Sequence, residues 1–173
     1  MEKNSNNEGR VNKRIMVGAI VAGIIIIALI ILVVADGLAV GGLYLENNTD
    51  RNITSLIIYF QDYDENFIDN IYEGKLDAGE KQKMNYGTAI KYAGEAYECV
   101  VRVQFEGEEE LWINDGLFET DYNGNIRIRF FQKDGEYYLH TKAGIGIFES
   151  TQKTDMDTDI VLHFDEGEWD YIL

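Results

Sequence analysis

The sequence predicts an all-β domain of the sandwich type, built from about eight or nine short antiparallel strands and preceded by one membrane-spanning helix. Three observations carry that prediction. Ile15 to Ala35 is a run of twenty-one residues with no charge, amide or proline. Beyond Asn52 the apolar residues change to a period of two, as in half-buried strands. Turn-forming clusters then punctuate the chain at short intervals, the pattern of sandwiches and barrels.

The apolar run comes first. A helix rises about 1.5 Å per residue, so some 20 apolar residues cross the hydrocarbon of a bilayer. Ile and Val are mediocre helix formers in water, but lipid offers the backbone no partner except itself. A core helix would show a polar stripe, and this run has none. A cleavable signal peptide shares the basic start, and Val33/Ala35 or Gly37/Ala39 would suit a peptidase. Its apolar core is normally about 7–15 residues, shorter than this run. The expectation is a retained anchor. Arg10, Lys13 and Arg14 precede the run, and the next bases are Arg51 and Lys75. Basic flanks stay in the cytoplasm, so these three are the topology determinants, with the tail inside and the rest of the chain outside the cell membrane. The divisions are a tail at 1–14, a span at 15–36 that extends to about 45 if Leu38–Leu45 continues the helix, and a domain at 46–173. Alternatively Leu38–Leu45 lies at the headgroups with Tyr44 as an aromatic anchor.

Along the domain, Ile53–Phe60 reads as a strand, Asp62–Asn66 as a turn, and Phe67–Tyr72 with Leu76 as a second strand. Asp77–Glu80 is a turn, with a weaker strand from Lys81 to Ile90. Tyr97, Cys99, Val101, Val103 and Phe105 alternate with polar partners, except at Val100. Leu111–Ile113 continues after an acidic turn. Ile126, Ile128 and Phe130 follow an Asn-Gly pair at Asn123-Gly124. Lys133-Asp134-Gly135-Glu136 has hairpin chemistry and leads into Tyr137–Thr141. Gly144–Phe148 and Ile160–Phe164 complete the set. The region Asn85–Tyr97 is where a soluble helix would most easily be missed.

Tyr44–Met84 contains Asn48-Thr49 before a strand, Phe60-Gln61-Asp62 at a strand end and Leu76-Asp77-Ala78-Gly79-Glu80 in a turn. In these features it resembles the FxLYD-type small β-sandwich domains of bacterial envelope proteins. The usual Asp-x-x-Gly turn is replaced by Asp62–Glu65. The resemblance covers about a quarter of the chain and implies extracytoplasmic β structure with no defined activity.

The chain holds 31 acidic and 15 basic residues, a net charge of −16. Residues 46–173 hold 28 acids against 11 bases. Such a domain repels polyanions, which argues against nucleic acid as a partner. The single cysteine, Cys99, excludes an internal disulfide and suits a buried, inert thiol. No motif for a nucleophilic elbow, a zinc protease or a phosphate loop occurs.

The sharpest candidate site is acidic. Asp62, Asp64, Asn66, Ile68, Asn70 and Glu73 fall at positions 1, 3, 5, 7, 9 and 12 of a calcium loop, of which Asp62, Asp64, Asn66 and Glu73 would be the side-chain ligands. Phe67 stands where that loop needs glycine, and the flanks read as strands, so the expectation is a turn without metal. Asp155, Asp157, Asp159 and Glu166 repeat part of the spacing, again without glycine. His140 and His163 lie in strand-like runs with no nucleophile nearby. Glu106–Glu110 reads as a solvated turn with Arg127 and Arg129 opposite part of it. Asn47 and Asn52 head glycosylation sequons. These readings predict a single-pass anchored binding module with a protein partner, no cofactor and no catalytic set. An enzyme assembled from distant residues and a structural subunit of a membrane complex are the alternatives.

Overall fold

The computed structural model describes residues 16–31, 41–62, 64–86, 90–91, 94–144, 154–164 and 167–172. The chain divides into two compact units, Met1–Leu38 and Ala39–Leu173.

In the first unit residues 16–31 form a helix, α1, whose Ile, Val and Leu side chains are exposed on all sides. Its 16 residues correspond to about 24 Å, against a hydrocarbon core of about 30 Å. Among the described residues no helix is long and apolar enough to cross a membrane. The described helix covers 16–31, and the rest of the span expected at 15–36 lies outside the described residues. Ile15, the end of the apolar run and the flanking Arg10, Lys13 and Arg14 lie outside the described residues.

The second unit is a two-sheet β-sandwich. Its strands are β1 (Gly42–Asn48), β2 (Ile53–Asp62), β3 (Phe67–Leu76), β4 (Lys81–Asn85), β5 (Tyr97–Phe105), β6 (Glu110–Phe118), β7 (Asn125–Lys133), β8 (Glu136–Gly144), β9 (Asp157–His163) and β10 (Glu168–Tyr171). One sheet has the order β10-β9-β8-β7-β1-β4 and the other β3-β2-β5-β6. All neighbours are antiparallel except β1 and β7, which run parallel with Leu43 opposite Ile126 and Leu45 opposite Ile128. That pair corrects the expectation of a wholly antiparallel fold.

Alternation decides which face of each strand is buried. Tyr97, Cys99, Val101, Val103 and Phe105 of β5 point inward, opposed by Leu43 and Leu45, by Ile126, Ile128 and Phe130, and by Tyr137, Leu139 and Ala143 of the other sheet. Each large apolar side chain buried this way contributes about 1.5–3 kcal/mol. Aromatic clusters fill both ends of the core. Phe60, Tyr97, Phe118 and Tyr122 meet edge-to-face or stacked at 4.9–5.5 Å. Phe105, Phe130, Tyr137 and Phe164 do so at 5.1–5.7 Å.

Two strands depart from the sequence reading. β1 replaces the helical extension or interfacial segment expected at Leu38–Leu45. Leu43 and Leu45 are fully buried on β1 between β7 and the edge strand β4, so the described domain begins before residue 46. β10 was not expected. Trp169 and Tyr171 tie it to β6 by donating to the carbonyls of Trp112 and Asn114, both at 2.8 Å. The described residues between Asn85 and Tyr97 contain no helix, and Ile90 instead bridges to Tyr122. Residues 145–148 lie outside the described residues.

The turns follow their chemistry. Asp134 and Gly135 both have positive φ, 55° and 91°, as a two-residue hairpin between twisted strands requires. Asn123-Gly124 turns no hairpin, because β6 and β7 belong to different sheets. Asn47 is fully buried and fastens two crossings between the sheets. Its amide donates to the carbonyls of Arg51 at 2.8 Å and of Leu76 and Asp77 at 3.1 Å. Its oxygen accepts from the Thr49 amide and hydroxyl at 3.2 and 2.7 Å. A side chain so enclosed is not a glycan acceptor, which removes the first sequon.

Candidate interaction surfaces

The residues singled out for metal do not converge. Asp62 closes the β2–β3 turn, its carboxylate accepting from the amides of Asp64 and Asn66 and from the Asn66 side chain at 2.8–3.2 Å. Those bonds, the Asn66 side chain first, hold its pKa below the usual carboxylate range. Glu73 lies along β3 opposite Ile57, seven residues or about 23 Å of extended chain from Asn66. The Asp62 carboxylate is thus turned to its own loop. In the second set Asp157 pairs with Lys142 and Asp159 with His140, both at 2.8 Å, while Asp155 accepts from the Leu117 amide at 2.5 Å. Glu166 lies outside the described residues. His163 faces Asp170 at 3.4 Å. Cys99 is fully buried, and burial pushes its thiol pKa far up. The acidic run Glu106–Glu110 finds its cations within its own sheet and at the β1–β2 crossing. Glu108 pairs with Arg51, and Glu110 with Arg102 at 2.6 Å. Arg127 and Arg129 stand on β7 in the other sheet, correcting the pairing expected for them.

One acidic pocket does assemble from distant strands. Glu98, Asn114, Asp115, Gly116, Leu117, Asp155, Thr158 and Tyr171 line a depression of about 290 Å³. Gly116 is the extra residue of a bulge in β6, since Glu98 pairs with Leu117 and Cys99 with Asp115. Its φ of +73° turns the strand there, and a Cβ would meet the Met156 Cβ at 2.5 Å. The bulge sinks Asp115, a residue 6% exposed whose carboxylate accepts from the Thr141 and Thr158 hydroxyls. Burial raises its pKa despite those bonds. Tyr171 is pushed up to about 12 by burial and then by Asp115, Glu98 and Asp155.

The outer face of the four-stranded sheet sets aromatic and apolar residues among polar ones. Ile57, Tyr59, Val100, Trp112 and Phe67 lie across it in register, Ile57 beside Arg102 and Arg102 beside Trp112. Trp112 is 56% exposed and Phe67 62%. The Arg102 guanidinium lies 4.0 Å from the Trp112 ring centre, and Glu110 receives both Arg102 and the Trp112 indole N–H. Phe67 packs on Tyr59 at 6.0 Å. Glu73, Glu98, Glu110 and Gln104 form the rim. The alternation of Leu111, Trp112 and Ile113 signals in the sequence that Trp112 points away from the core.

The outer face of the six-stranded sheet is basic across β4, β1, β7 and β8, with the carboxylates of Asp157 and Asp159 on β9 beside Lys142 and His140. Lys83, Tyr44, Arg127 and Lys142 form one cross-strand row, and Lys81, Glu46, Arg129 and His140 the next. Five of the domain's eleven Lys and Arg residues stand here. The Tyr44 ring is met by Lys83 at 4.9 Å and Arg127 at 4.4 Å. Arg129 lies 5.2 Å from the Phe131 ring, which stacks on Tyr138 at 5.1 Å. Sequence reasoning missed this face because Tyr44 was assigned to the membrane interface.

Comparisons of the chain with protein-family models, with curated proteins and with solved structures find no match.

Proposed function

We propose that this protein is a membrane-anchored binding module whose sandwich docks a protein partner on the outside of the cell. The apolar run 15–35 would hold it in the bilayer, with Arg10, Lys13 and Arg14 keeping the tail inside. The resemblance of residues 44–84 to FxLYD-type envelope domains supports the same location. The observation that carries docking is the pair of exposed aromatic residues, Trp112 and Phe67, on a sheet face centred on Arg102. Trp, Tyr and Arg dominate the energetics of protein interfaces, and single-sheet faces in soluble sandwiches are normally polar. The acidic rim fits a partner with an apolar centre and basic surroundings. A photoreactive phenylalanine in place of Trp112 should trap one partner in intact cells, and Phe67→Glu should abolish the adduct. Trapping unaffected by Phe67→Glu would refute docking on this face.

An enzymatic reading draws on one observation, the buried Asp115 beside Glu98, Asp155 and Tyr171, since perturbed carboxyls in clefts mark many active sites. Asp115 is already engaged by the Thr141 and Thr158 hydroxyls, so binding is the better-supported function.

A further inference from the structure

The basic face of the six-stranded sheet lies outside that reading. We propose that β4, β1 and β7 present there a binding site for phosphate-bearing polyanions, held by Lys83 and Arg129. Cations are concentrated on this one face of a chain that carries −16 overall, which random placement of eleven bases among 28 acids would scatter. They are also positioned. Arg127 and Arg129 are backed by the Tyr44 and Phe131 rings, which fixes each guanidinium plane and loses less side-chain freedom on binding. A shallow cavity of about 160 Å³ opens between Tyr44, Glu46, Arg127, Arg129 and His140.

The chemistry of the occupant follows from what surrounds the cations. Lys81, Lys142 and His140 already hold the carboxylates of Glu46, Asp157 and Asp159. Among the described residues Lys83 and Arg129 make no ion pair within 4 Å. Lys83 on β4 and Arg129 on β7 stand two strands apart, about 9.6 Å, a span that linked phosphates cover, and the Arg129 fork matches two phosphate oxygens at once. Tyr44 is approached by a cation from each flanking strand, so its ring offers no platform for a base. That favours a phosphate polymer without bases over single-stranded nucleic acid. Charges on the acidic faces are screened beyond about 8 Å at physiological salt, so the local cations govern close approach.

The test is calorimetric titration of the full chain, in a zwitterionic detergent at about 0.15 M salt, with inorganic tripolyphosphate. Wild type should bind, and Lys83→Gln/Arg129→Gln should weaken binding about tenfold or more. Lys75→Gln/Lys91→Gln, which removes the same charge elsewhere, should leave it unchanged. Should the first double variant lose its fold, Arg129→Lys keeps the charge and loses the fork, and should still weaken binding severalfold. No binding by wild type, or equal weakening in both double variants, overturns the proposal. Equal affinity for oligoglutamate of matched charge also overturns it, assigning the face to acidic protein instead.

Discussion

Replacing Asn47 by Ala should be among the most damaging single changes in the sandwich. The side chain is fully buried, and its two amide hydrogens serve three carbonyls, those of Arg51, Leu76 and Asp77. Its oxygen takes both the amide and the hydroxyl of Thr49. An ordinary hydrogen bond contributes about 0.5–1.5 kcal/mol net, and a buried group left without a partner costs about 1–3 kcal/mol. The Leu76 carbonyl is the group whose bond to Asn47 is itself buried, whereas Arg51 and Asp77 can turn toward water. Losing the set therefore amounts to about 3–5 kcal/mol, or a fall in melting temperature of about 10–15 °C for a domain of this size. Asn47→Asp should be at least as harmful, because an ionised carboxylate has no hydrogen for the three carbonyls. Thermal unfolding of the full chain in detergent, followed by near-ultraviolet circular dichroism, reads both. A loss below about 1 kcal/mol for Asn47→Ala would refute the view that this side chain fastens the two crossings.

Two further changes test the bulge in β6. Gly116→Ala should cost about 2–4 kcal/mol, since it places a Cβ at φ +73° and 2.5 Å from the Met156 Cβ; stability within about 0.5 kcal/mol of wild type in a denaturant titration would contradict the geometry. Asp115 has its pKa raised in the fold, so the native state retains a proton that the unfolded chain releases, and its contribution falls as pH rises from the ordinary Asp value through the raised one. Asp115→Asn should therefore raise the melting temperature by a few degrees at neutral pH, with the gain vanishing below the ordinary Asp range; a gain that grows on acidification would reverse the sign and the reasoning.

Three strands of the four-stranded sheet were legible from alternation, whereas β6 was read only as Leu111–Ile113 because the bulge at Gly116 breaks its period. β5 was placed at Tyr97–Phe105, and β2 and β3 within two residues, since residues on one face are apolar and turn chemistry marks the ends. The Asp134-Gly135 hairpin was legible because few residues other than Gly, Asn and Asp accept positive φ there. β1 was not. Gly42-Leu43-Tyr44-Leu45 follows a long apolar run, and period cannot separate a buried strand from the end of a helix over so few residues. Its parallel pairing with β7, 83 residues away at the Gly42–Asn125 contact, leaves no local trace. β10 is four residues long and held by two hydrogen bonds from its aromatic side chains to β6, equally invisible to periodicity.

The surfaces were harder to read than the core for a related reason. Net charge is a sum over the chain, whereas binding depends on which residues share a face, and that is set by register. Arg127 and Arg129 sit one residue from Ile126 and Ile128, so the same alternation that buries the isoleucines must project the arginines outward together. Tyr44 and Glu46 are brought beside them only by the parallel β1–β7 pairing, and Lys81 and Lys83 only by β1–β4. A one-residue slip of β1 would bury Tyr44 and Glu46, and strand the lysines away from the arginines. The buried Leu43, Leu45 and Asn47 forbid that slip, because it would expose the leucines and empty the socket that Asn47 fills. The packing that stabilises the six-stranded sheet is thus also what gathers its cations, in a chain whose overall charge points the other way.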